Sequence, residues 1–305
     1  MKKSYFIDNT TKLYTAYYPC KTKSKCAMIL MAGDNVDDFM ACMAVKYLQD
    51  FNLNVLALSP GKNNYDFSNY PIENIGKAIE YLQNKGNNKI GIIGASTTAM
   101  VALIASSYYN SLTLTIGLSP CDFVMEGYHI TKGVEIPSNS ESTITIAGIP
   151  QPYLPFYYRG LVHARMRKEE AKQTENKIAC KYIFNEAEHY HPVTERELIK
   201  IENINGSIVV IGAEDDMLWD TVKYINRMKN RMETTEHNGQ WHFLTYKYGT
   251  HFVYPETMFK KLIPFGTNTI PKLMFKSARE HPTECKETRI DIDRKLKFII
   301  NQWMK

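Results

Sequence analysis

Acyl transfer by a serine requires a hydroxyl to attack, an imidazole to take its proton and a carboxylate to orient the imidazole. The chain carries these groups in the order Ser, acid, His. Ser96 lies in KIGIIGASTTAM (89–100), the pair Asp215 and Asp216 in GAEDDMLWDT (212–221), and His251 in YGTHFV (248–253). Each follows an apolar run of strand length: KIGII (89–93), SIVVI (207–211) and HFLTYK (242–247). Chemistry in an open parallel sheet gathers at the carboxyl ends of strands, so three such groups at three strand ends form a set.

Ser96 has three competing uses. A dinucleotide-binding turn would read G-x-G-x-x-G, but Ser96 and Ala99 stand where its second and third glycines belong, and no acid ends the next strand. A plain helix cap, by Ser96 or Thr97, is chemically sound. A nucleophile elbow, G-x-S-x-G, fits Gly94 and Ser96 and uses the amide of Thr97 as an oxyanion donor. Its last glycine is replaced by Thr98, whose β-branched side chain should push the helix slightly away from the neighbouring strand. Partners elsewhere favour the elbow.

Two counts compete for the acid. Three residues back from Trp219 is Asp216, whereas three on from Gly212 is Asp215. The reading favours Asp216 and leaves the other to cap a helix beginning near Leu218. His189 and His191 form an H-x-H pair without a third ligand in view, so they read as surface residues and no metal site is expected. His129, His163, His237, His242 and His281 receive no role.

The elements that must position this set follow from periodicity. Further strand-length runs occur at 26–31, 54–58 and 112–118, and helical spacing at 37–50, 73–85, 97–108 and 288–304. Alternating strands and helices predict an α/β fold with a mostly parallel sheet flanked by helices on both faces. The alternation breaks at about 121–205, where prolines at 137, 150, 152 and 155 interrupt a stretch ending in a charged helical segment around 161–178. A long interruption of this kind predicts a cap inserted over the functional edge of a single domain spanning 1–305.

Composition narrows the classes. The chain has 305 residues, 44% of them hydrophobic, enough for a large core. The net charge of +5 comes from dispersed lysines, which predict a solvated surface, and no basic–aromatic stretch suggests nucleic acid. There is no apolar window of spanning length and no leader-like start, so a cytoplasmic protein without membrane contact is expected. Six scattered cysteines without a CxxC pair predict reduced thiols.

Several blocks resemble a known family, the acyl-CoA thioesterase and bile acid-CoA:amino acid N-acyltransferase (BAAT) branch of the α/β-hydrolases. They are the elbow GIIGASTTA, LSPCDFVMEGY, GIPQPYLPF, IGAEDDMLWDT and YGTHFVYPE, together spanning roughly residues 26–304. The resemblance implies Ser96 as nucleophile, Asp216 as acid by its distance from Trp219, and His251 as base. The acyltransferase members use cysteine, so Ser96 looks like the hydrolase side. Mammalian members carry an N-terminal β-sandwich; with roughly 25 residues before the first core strand, that domain is not expected here. The family's glycine-rich run after that strand supplies a second oxyanion donor. Here AGDNVDDF offers only Gly33, and the amides of Asp34 or Asn35 are the candidates.

The expectation is therefore a serine hydrolase acting on a small acyl ester or thioester, without a cofactor. Transfer of the acyl group to an amine, and a catalytically silent binding protein, are the alternatives. The cap aromatics Tyr153, Phe156 and Tyr157 are expected either to form an acyl pocket or to anchor the cap.

Overall fold

The computed structural model describes residues 3–8, 13–31, 35–60, 67–131, 134–237 and 239–305. An antiparallel pair, β1 (Ser4–Asp8) and β2 (Leu13–Tyr18), leads into β3 (Cys26–Met31), α1 (Phe39–Gln49), β4 (Asn54–Ser59) and β5 (Tyr70–Pro71). Then follow α2 (Glu73–Asn84), β6 (Lys89–Ala95), α3 (Thr97–Tyr108) and β7 (Leu112–Leu118). The interrupted region forms β8 (Glu126–Thr131), β9 (Val134–Ser142), β10 (Ile144–Ile146), β11 (Ile149–Pro150), α4 (Gly160–Gln173) and α5 (Lys181–Tyr190). The chain closes with β12 (Ser207–Ala213), α6 (Thr221–Glu233), β13 (Trp241–Tyr246), α7 (Glu256–Lys260), α8 (Thr269–Met274), α9 (Lys276–Glu280) and α10 (Pro282–Met304).

Eight strands form one sheet in the order β1-β2-β4-β3-β6-β7-β12-β13. Pairing is parallel from β4 to β13 and antiparallel at β1–β2 and β2–β4. Strands covered on both faces read as unbroken apolar runs, and CAMILM in β3 is buried at every position. One core lies between the sheet and α2, α3, α6 and the inserted region. The other lies between the sheet and α1, α7 and α10.

Helices α1, α2 and α3 match the expected spans within a residue or two, and Asp38 caps α1 by accepting from the Ala41 amide at 2.7 Å. Helix α10 starts six residues earlier than its apolar stripe suggests, because Pro282 pre-sets its first turn.

The inserted region is built differently from a plain helical cap. It contains a β8–β9 hairpin and the pair β10–β11, and β10 continues into a parallel pairing with β5, outside the insertion. It is thus stitched to the body at Tyr70–Pro71 as well as through its two ends. Glu126, fully buried, accepts from the amides of Ser140 (3.0 Å) and Phe156 (2.8 Å) and pairs with Arg159. No helix among the described residues is long and apolar enough to cross a membrane.

Candidate active site

Ser96 sits between β6 and α3 with φ 59° and ψ −130°, a backbone conformation that a residue with a Cβ rarely adopts. Three local features enforce it. Its N–H donates to the Leu118 carbonyl of β7 at 2.8 Å, and its own carbonyl accepts from the Ala99 amide at 2.9 Å. Gly94 lies against the first turn of α3, and any Cβ there would collide with the Thr98 carbonyl. Thr98 is an active part of the turn: its hydroxyl accepts from the Ala95 N–H at 2.9 Å and lies 2.7 Å from the Ala95 carbonyl and 3.1 Å from that of Met31. The threonine in place of the final glycine therefore ties the turn to the end of β3. Ser96 makes no side-chain capping bond, which sets aside its plain capping use.

Asp216 and His251 follow the last two strands of the sheet, β12 and β13. Asp216, after β12, is fully buried and its Oδ2 accepts from His251 Nδ1 at 2.8 Å. The Leu218 amide (2.8 Å) and the Thr221 hydroxyl fix the same carboxylate. Asp215 does not cap a helix; Asp220 does that for α6. Instead, Asp215 accepts from the amides of Gly249 (2.9 Å) and Thr250 (2.7 Å) and from the Ser277 hydroxyl, pinning the loop that carries His251. Burial pushes its carboxyl above the usual range even though these donors act the other way. Ser119, next after β7, donates to the His251 carbonyl at 2.9 Å. The indole of Trp219 stands edge-on to the imidazole with centroids 5.2 Å apart.

His251 Nε2 is buried and has no hydrogen-bond partner among the described residues. Ser96 and His251 line the same cavity, of about 670 Å³, whose remaining walls are mostly apolar. Tyr254 is in that wall, its phenol pushed up to about 12 chiefly by burial and so neutral. The Thr97 amide opens α3, where the first N–H groups have no partner within the helix.

The other expected residues lie elsewhere. The Asn35 amide is turned to the Asp38 carboxylate at 3.4 Å, and Asn35 does not line the cavity. Gly33 and Asp34 lie outside the described residues. None of Tyr153, Phe156 and Tyr157 lines the cavity. Phe156 is buried against Phe184 and His163, Tyr157 stacks on Tyr190 at the surface, and Tyr153 packs partly buried on the core that the inserted region shares with the sheet, α2, α3 and α6. The ring contacts of Phe156 and Tyr157 are thus made within the inserted region. The apolar lining comes instead from α1, α7, α8 and the strands β3, β6 and β7; for α1 the sequence offered one signal, small and apolar residues at helical spacing after the first core strand. His189 and His191 are exposed at the end of α5.

Sheet order and elbow define an α/β-hydrolase. The chain belongs to the family described as BAAT / acyl-CoA thioester hydrolase C terminal, which matches residues 71–260. In fold it is similar to an α/β-hydrolase enzyme from a Medee basin deep-sea metagenome library, at 11% identity over 100% of this chain and 98% of that one, with a TM-score of 0.55. It is also similar to an esterase of Pyrococcus furiosus, at 14% identity over 89% and 88% of the two chains, with a TM-score of 0.49. No curated protein matches it. Family and fold together make it a hydrolase of the esterase or thioesterase type.

Proposed function

We propose that the protein cleaves an acyl ester or thioester through an acyl-enzyme on Ser96. The observation that carries this reading is that His251 and Ser96 line one cavity, with His251 Nδ1 held by Asp216 and its buried Nε2 without a hydrogen-bond partner among the described residues. In the first half-reaction the Ser96 hydroxyl attacks the acyl carbon and His251 Nε2 takes its proton. The Thr97 amide donates to the oxygen that becomes negative, and His251 returns the proton to the departing alcohol or thiol. In the second half, Nε2 takes a proton from water, which attacks the acyl carbon; the acid leaves and Ser96 regains its proton.

Asp216 holds the tautomer with the proton on Nδ1 and stabilises the imidazolium that forms. The strained φ of Ser96 keeps its hydroxyl clear of the sheet, so attack needs no backbone rearrangement.

The test is labelling by a fluorophosphonate together with turnover of p-nitrophenyl esters and acyl thioesters by wild type, Ser96→Ala and His251→Ala. Labelling confined to the wild-type serine and loss of turnover in both folded variants is the expected result. Turnover that survives Ser96→Ala rules the reading out.

A further inference from the structure

The cavity at Ser96 reaches into the face of the sheet that α1 covers. On α1 it is lined by Met40, Ala44, Tyr47 and Leu48, which at intervals of four, three and one make a single helical stripe. Because α1 connects the parallel strands β3 and β4, it runs antiparallel to them. Its first turn stands at the sheet edge that carries Ser96, and its last turn lies toward the opposite edge. From Met40 to Leu48 the helix advances roughly 12 Å at about 1.5 Å per residue. Leu30 and Ile93 of the sheet form the facing wall. Tyr47 and Leu48 are fully buried and close the far end, whereas Phe39 is 58% exposed at the start of the helix. Ala44 lies midway and is the smallest side chain of the stripe.

We propose that this slot receives an unbranched acyl chain of about ten carbons and that Ala44 determines the length it admits. The inference rests on the reading of Ser96 as the acyl-accepting nucleophile. With carbon–carbon bonds of about 1.5 Å, an extended chain advances roughly 1.25 Å per carbon, so about ten span the roughly 12 Å between the levels of Met40 and Leu48. Each methylene placed in the slot raises affinity about fourfold. A larger side chain at position 44 blocks the lower half of the slot and leaves the part beside Ser96 open.

The experiment compares full-length wild type with Ala44→Phe and the milder Ala44→Val on p-nitrophenyl esters from acetate to dodecanoate. The readout is the ratio of kcat/KM for decanoate to that for acetate. A fall of tenfold or more for Ala44→Phe and about threefold for Ala44→Val is expected; a ratio within twofold of wild type in a folded variant overturns the proposal. A second arm titrates decanoate and butyrate into Ser96→Ala, with and without the change at position 44, by calorimetry. Decanoate binding weakened tenfold by Ala44→Phe is expected there, or a smaller but selective loss with Ala44→Val where the phenylalanine variant does not fold.

Decanoate binding that depends on position 44, in a protein that hydrolyses no ester, removes the hydrolase reading and keeps the slot. Hydrolysis indifferent to chain length removes the slot and keeps the hydrolase. Neither hydrolysis nor decanoate binding removes both.

Discussion

Asp215 and Asp216 are adjacent in sequence and both held by several hydrogen bonds, yet they serve different groups. One accepts from backbone amides of the histidine loop, the other from the imidazole itself. Asp216→Asn replaces an acceptor by a group that also donates, which favours the wrong tautomer of His251. Its kcat is expected to fall on the order of 10³- to 10⁴-fold with little change in melting temperature. Asp215→Asn is expected to show the reverse balance: destabilisation of about 1–3 kcal/mol in denaturant unfolding and a smaller loss of turnover. Sequence spacing supplied two counts that differ by one residue. Consecutive side chains of a turn diverge, so only the fold separates them. Thr98 carries a similar lesson. A consensus treats its position as a place for minimal bulk, but its hydroxyl bridges Ala95 and Met31. Thr98→Val keeps the shape and removes those bonds, so a loss of about 1–3 kcal/mol and reduced turnover are expected, with Thr98→Ser restoring most of both.

Among the elements, those with a strong period were legible: the buried strands, α1 to α3, and the body of α10. Periodicity is a local property, and these segments satisfy it locally. The hairpin β8–β9 was not legible, because Val134–Ser142 carries Pro137 and several polar residues and becomes a strand only by pairing with Glu126–Thr131. The β5–β10 contact joins segments far apart in the chain and leaves no local signal. The junction of β6 and α3 is the tightest between elements, and Gly94 is its limiting residue. Gly94→Ala is expected to destabilise the protein by about 3 kcal/mol or more and to abolish fluorophosphonate labelling, since either the turn or α3 must shift. Thermal unfolding and labelling of the soluble fraction check this.

For the whole molecule, stability in acid should depend on how the inserted region is packed. His163 on α4 is buried beside Phe156, and burial, with Arg167 adding to it, holds its imidazole down at about 4. Above pH 6.5 the ring is neutral whether the chain is folded or not. As pH falls below that value the unfolded chain takes a proton that the folded one refuses, so stability drops progressively until about pH 4, by up to about 3 kcal/mol. His163→Leu is expected to flatten the decline between pH 7 and 4.5 in urea unfolding, whatever its stability at neutral pH. An equal slope in the variant would assign the acid sensitivity to other groups.

Leu118 and Ser119 are consecutive residues at the end of β7: the first receives the amide of Ser96, and the second donates to the carbonyl of His251 while its own N–H reaches Ile211 of the strand that leads to Asp216. Three segments distant in sequence are thus aligned against one dipeptide, so placement errors do not accumulate along the intervening chain. A distortion at that end of β7 shifts Ser96, Asp216 and His251 together, so their mutual alignment is referred to one point of the sheet.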